Sequence, residues 1–135
     1  MPPIPVEIAD RISVYDPVKD TWYEGTWNLF SLDSISKYAA INLNTAGNHT
    51  IIEGTTGSVI RITSIILTVG GETNITLYDG PTPISGPMDF GGSSEPRGMV
   101  SNFAANPLRL SNGNSMIINS SAAVQVSGIV CYTQK

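Results

Sequence analysis

Apolar and polar residues alternate along much of this chain with a period of two. The pattern is densest over residues 58–79, SVIRITSIILTVGGETNITLYD. Thr, Val and Ile crowd this stretch, and their branched Cβ atoms favour the extended, pleated backbone of a strand. After the glycines the alternation is clean, with Ile75 and Leu77 on one face and Asn74, Thr76 and Tyr78 on the other. Before them the phase changes: Ile60 and Ile62 share one phase, whereas Ile65, Leu67 and Val69 share the other. Such a change predicts either burial of both faces or a β-bulge near Thr63 and Ser64. Gly70-Gly71 predicts a hairpin turn, because glycine accepts the positive φ angles that tight turns require. A long bent strand shared between two packed sheets suits either origin of the phase change.

The chain from residue 38 onward keeps the texture of strand, turn, strand. Ala39, Ile41 and Leu43 alternate with Ala40 and Asn42, residues 44–48 read as a turn, and residues 49–53 as a short strand. Residues 54–57 turn into the central stretch, and Pro81 and Pro83 mark a loop after it. Residues 86–90 and 99–106 predict further strands around a flexible, exposed loop at 91–98. Asn112-Gly113-Asn114 signals a turn, with residues 115–119 extended after it. In the last strand Val124, Val126, Val130 and Tyr132 share one phase, and Gln125, Ser127 and Thr133 the other. Seven to eight short strands at roughly regular spacing predict an all-β fold, an antiparallel β-sandwich, over residues 38–135.

Residues 1–37 lack this periodicity. Pro2, Pro3 and Pro5 favour an extended backbone, so the stretch reads as an N-terminal arm, with one short turn of helix over 32–37 after a capping Ser31. Five of the ten aromatic residues fall in it: Tyr15, Trp22, Tyr23, Trp27 and Phe30. So does the whole charge imbalance. Arg11 and Lys19 stand against Glu7, Asp10, Asp16, Asp20, Glu24 and Asp33, giving residues 1–36 the chain's entire net charge of −4. Two readings are open for the aromatics: they fold back onto one end of the sandwich, or they anchor the arm on another chain. Trp and Tyr bury large areas with few rotors to freeze, and an acidic arm without its own core gains order from a neighbour, which favours the second.

At 135 residues the chain has the length of one domain with a core of its own. Charged residues make up only 13%, against about 25% in an average globular chain. The surface therefore relies on Ser, Thr, Asn and Gly, as in secreted or virion-exposed β proteins. The acidic balance argues against a nucleic-acid partner. No apolar run approaches the roughly 18 residues of a membrane helix. The start, MPPIPVEIAD, lacks the basic and apolar regions of a signal peptide.

Signals for chemistry are sparse. His49 is the one histidine and has no local Cys, Asp or Glu beside it, which favours a structural role over a metal or catalytic one. Cys131 is alone and reads as a small apolar strand residue. Asp16 and Asp20 flank Pro17 without the carboxylate density of a calcium loop. The glycines at 54, 57, 70, 71, 91 and 92 fit no phosphate-binding spacing, and no Gly-x-Ser-x-Gly occurs. Asn48, Asn74 and Asn119 begin glycosylation sequons, which matter only on a secretory route. A carbohydrate-active enzyme would require paired acids, for which Asp79, Asp89 and Glu95 are the candidates. No cofactor and no metal is expected, and the expected class is non-enzymatic.

Residues 38–132 resemble a small virion domain of tailed bacteriophages. The pieces that carry the resemblance are NHTII at 48–52, VIRITSIILTV at 59–69, TNITL at 73–77, GPM at 86–88 and SAAVQVSG at 121–128, followed by Tyr132. The resemblance implies a jelly-roll-like β-sandwich in a virion structural protein: a head decoration (cement) protein or a tail component. It implies as partners the major capsid protein or another virion protein, a homo-oligomer such as a trimer, and no catalytic motif. The alternative is a tail or fibre-knob module that binds a host-surface glycan through its loops. Residues 91–98 contain no aromatic residue, which disfavours that alternative.

Overall fold

The computed structural model describes residues 14–16, 21–23 and 35–135. The chain divides into two units, Met1–Ile35 and Ser36–Lys135. In the first, β1 (Val14–Asp16) and β2 (Thr21–Tyr23) pair antiparallel, with Tyr15 opposite Trp22. Of the helical turn expected over 32–37, residues 32–34 lie outside the described residues. Ile35 and Ser36 are irregular, and Lys37 is extended, because its backbone aligns with Tyr132 as the first residue of a strand.

The second unit is an all-β sandwich of ten antiparallel strands in two sheets. They are β3 (Lys37–Leu43), β4 (Gly47–Ile52), β5 (Ile60–Val69), β6 (Thr73–Asp79), β7 (Thr82–Pro83), β8 (Met88–Phe90), β9 (Gly98–Asn102), β10 (Leu108–Arg109), β11 (Met116–Ser120) and β12 (Val126–Gln134). Sheet 1 runs β3-β12-β5, and then β9 and β10 share the far side of β5. Sheet 2 runs β4-β11-β6, and then β7 and β8 share the far side of β6. With each shared edge counted as one strand, the sandwich has eight positions. Their order is 1-8-3-6 in sheet 1 and 2-7-4-5 in sheet 2. Successive strands switch sheets except the fourth and fifth, which pair in sheet 2, and the first lies beside the last, which is the double Greek key of a jelly roll.

The phase change in β5 is a bulge. Cys131 pairs with Ser64 and Tyr132 with Ile62, so Thr63 has no opposite number. Ile60 and Ile62 before it and Ile65, Leu67 and Val69 after it therefore all point into the core, although they are out of step in sequence. The bulge also divides the edge of sheet 1: β9 pairs with residues 64–68 and β10 with 61–62. Between them the Phe103 N–H donates to the freed Thr63 carbonyl at 2.6 Å.

The hairpin expected over 58–79 is not formed. β5 belongs to sheet 1 and β6 to sheet 2, and Gly70-Gly71 carries the chain across the sandwich between them. Both strands present an apolar face, and a hairpin would leave those faces side by side in one sheet; the arch places them on opposite walls of one core. Neither glycine adopts positive φ. The Gly70 N–H donates to the Gln125 carbonyl at 2.7 Å, and a Cβ on Gly71 would press on the Val124 side chain. The loop expected at Pro81 and Pro83 is instead a tight return: Gly80, with φ of 55°, and Pro81 connect β6 to β7, where Pro83 sits at an edge that needs no N–H from it. The loop 91–97 is closed on itself. The Gly91 N–H donates to the Pro96 carbonyl at 2.8 Å, and the Gly92 N–H to Glu95 Oε1 at 2.8 Å.

Candidate interaction surfaces

With the inner faces committed to the core, chemistry is left to the outer faces and the loops. No pocket opens among the described residues, and no cluster of three metal-ligating side chains occurs among them.

The outer face of sheet 1 is built by register. Ala40, Ile129, Ile66 and Val100 lie side by side across β3, β12, β5 and β9. None belongs to the core. Val100 is 77% and Ile66 44% exposed. One residue pair away lies Tyr38-Cys131-Ser64-Asn102, where Tyr38 is 75% exposed. Beyond the bulge comes Thr133-Arg61-Arg109, with the two arginines directly opposite each other. The strands of sheet 1 carry Lys37, Arg61 and Arg109 and no carboxylate.

The outer face of sheet 2 has another chemistry. Asn48, Asn119 and Thr76 form one row, and Asn119 Nδ2 donates to Asn48 Oδ1 at 2.7 Å. Thr50, Ile117 and Tyr78 form the next, with Ile117 and Tyr78 half-buried. Its strands carry Asp79 and Asp89 and no lysine or arginine. All three sequon asparagines, Asn48, Asn74 and Asn119, lie on strands of this sheet.

The candidate acids do not form a pair. Asp89 aligns with Asn74 at one end of β6 and Asp79 ends that strand, five residues on. At about 3.3 Å per residue that is about 16 Å, beyond the roughly 5–9.5 Å of a carboxylate pair that works on one glycosidic bond. Asp79 is buried and saturated. It accepts from the Ser111 N–H at 3.0 Å, the Ser111 hydroxyl at 2.8 Å and Asn114 Nδ2 at 3.0 Å, which ties β6 to the 111–114 turn. Burial pushes its pKa up, but the hydrogen bonds from Asn114 and Ser111 outweigh it and hold the carboxyl below its ordinary 3.8. Glu95 closes its own loop at Gly92. His49 Nε2 lies 2.8 Å from the Thr45 carbonyl and braces the turn between β3 and β4.

Of the aromatics expected to anchor a partner, Tyr15, Trp22 and Tyr23 fall on the paired strands β1 and β2. Trp27 and Phe30 lie outside the described residues, as does Asp20. The apolar row of sheet 1 is invisible to single-strand reading because its members come from four strands. The one local trace is Ile65-Ile66, where an apolar residue occupies the phase that should face water.

No protein-family model matches this chain, and no curated protein sequence matches it. Among solved structures it is similar to the nucleoplasmin-like N-terminal domain of Drosophila FKBP39, at 14% identity and a TM-score of 0.44, over 76% of this chain and 92% of that one.

Proposed function

We propose that this chain is a non-enzymatic structural protein of a tailed-bacteriophage virion, a capsid decoration protein that cements the head shell. The observation that carries the reading is the ordered set of motifs over residues 38–132, ending in SAAVQVSG and Tyr132. In the fold, the first five residues of that last motif close the arch beside Gly70 and the rest open β12, the strand that joins β3 to β5. A jelly roll with a chargeless apolar row on one outer face suits a module that works by contact.

The mechanism is mechanical. Copies sit on the shell as a homo-oligomer, a trimer, and the aromatic arm with Tyr15, Trp22, Tyr23, Trp27 and Phe30 reaches to neighbouring subunits. Each contact contributes about 25 cal/mol per Å² of apolar surface before the costs of association, and repetition over a symmetric shell multiplies the effect. Electron cryomicroscopy of the particle tests the assignment: density for the sandwich on the head surface is the expected result, and density confined to the tail, or no density, rejects it.

A further inference from the structure

We propose that the outer face of sheet 1 is the seat for the acidic, aromatic segment 1–35 of a neighbouring copy. The inference rests on the reading above in one respect, that copies stand side by side. The rest comes from complementarity between two parts of the chain.

The face supplies what such a segment needs. The row Ala40-Ile129-Ile66-Val100 runs across four strands, which at about 4.8 Å per strand makes an apolar strip roughly 14 Å long. Exposed side chains gathered into a strip, rather than scattered, mark a contact surface. Tyr38 widens it, and Arg61 and Arg109 sit beyond the bulge as paired cations. Like charges directly opposite on adjacent strands destabilise a sheet, so this pair gains from an incoming carboxylate.

The segment supplies the complement. Residues 1–36 hold five aromatics to cover the strip and net −4 to meet the outer face of sheet 1, which presents Arg61 and Arg109 and no acid. Sheet 2 offers the same segment no cation on its strands, and its one outward acid, Asp89, repels it. Charge thus selects between the two faces. Reach is sufficient: Trp22 precedes Lys37 by fifteen residues, up to ~50 Å of extended chain, enough to pass from one domain to the next.

Cys131 lies on this face, beside Tyr38, and serves as a reporter. A tagged full-length chain carrying Thr26→Cys and Cys131→Ser is co-expressed with an untagged chain that keeps Cys131, and the purified protein is treated with a short bis-maleimide. The expected product joins one tagged to one untagged chain. Its yield falls at least about fivefold with Ile66→Asp or Val100→Asp in the untagged chain, and falls in 1 M salt, which screens the charges. Thermal unfolding of both face variants controls for folding. Absence of the mixed product overturns the proposal. So does a yield indifferent to both substitutions, or a chain carrying Thr26→Cys and native Cys131 that links only within itself. The test needs no particle. A mixed product from a protein that is absent from the head would reject the cement reading and leave this contact standing.

Discussion

The two sheets share one core and differ outside it. Sheet 1 turns Ala40, Ile129, Ile66 and Val100 outward and carries only cations on its strands. Sheet 2 turns out Asn48, Asn119, Thr76 and Thr50 around half-buried Ile117 and Tyr78, and its outward charge is the carboxylate of Asp89. A strand's inner face is set by the need to fill the sandwich, but its outer face is free to vary without cost to the fold. The asymmetry fits the contact proposed above, which covers the apolar strip and leaves the amides and hydroxyls to water.

Substitutions inside and outside the sheets can break this division. The largest effect is expected at Gly128, in the middle of sheet 1, where a Cβ would run into the Ile66 carbonyl oxygen and the Leu67 Cα on β5. Gly128→Ala should cost about 3 kcal/mol or more, or prevent folding, whereas Gly86→Ala, which meets nothing within 4 Å and has no positive φ, should stay within about 0.5 kcal/mol. Denaturant melts of the pair measure this; equal stabilities would mean that β12 and β5 can move apart.

Next comes the inner end of sheet 2. Asp79→Asn should cost about 2 kcal/mol at pH 7, since a neutral amide cannot accept all the bonds from Ser111 and Asn114. The folded carboxyl titrates below 3.8, so its stabilisation is full above that pH and is lost as pH falls through the lower folded value. The stability gap between the natural chain and the variant should accordingly hold at neutral pH and narrow as the pH falls below the ordinary 3.8 of a free carboxyl. A gap constant over that range would show that the charge plays no part.

On the outer faces the thermodynamic effects are small and the functional ones unequal. Val100→Asp in sheet 1 and Thr76→Asp in sheet 2 should each change stability by less than about 0.5–1 kcal/mol. Only the first should abolish attachment to particles lacking the protein, as read by co-sedimentation. Loss of attachment with both, or with neither, would erase the functional contrast between the faces. Smallest of all, Asn119→Ala removes one exposed hydrogen bond to Asn48 and should cost about 0.5 kcal/mol, with attachment unchanged.

What was legible in the sequence was local. The alternation from Asn74 to Tyr78 and the phase slip at Thr63 both appear in the strands as read, because period and bulge are properties of one stretch of chain. Partnership was not legible. Gly70-Gly71 gives the same signal for a hairpin as for an arch between sheets, and only the apolar faces on both sides, which must oppose each other, decide for the arch. The strip on sheet 1 escaped for the same reason: Ala40 and Val100 are sixty residues apart and become neighbours through register alone. Of the split edges, β8 and β9 fall on the strands read at 86–90 and 99–106, whereas β7 and β10 hide beside prolines, since each is only two residues long.

The position of β12 has a consequence for how the molecule comes into being. β3 and β5 are made early, yet they touch in sheet 1 only through β12, residues 126–134. Until that strand leaves the ribosome, β5 has one edge bare and β3 has no partner in its sheet, so sheet 1 closes in a single late step. Pairings that span more than eighty residues are slow to find, on the order of milliseconds to seconds. During that interval a β-rich chain with an open edge is exposed to mispairing with its neighbours on the same message. Production of this protein should therefore respond to the rate of translation and to chaperones more than its final stability would suggest.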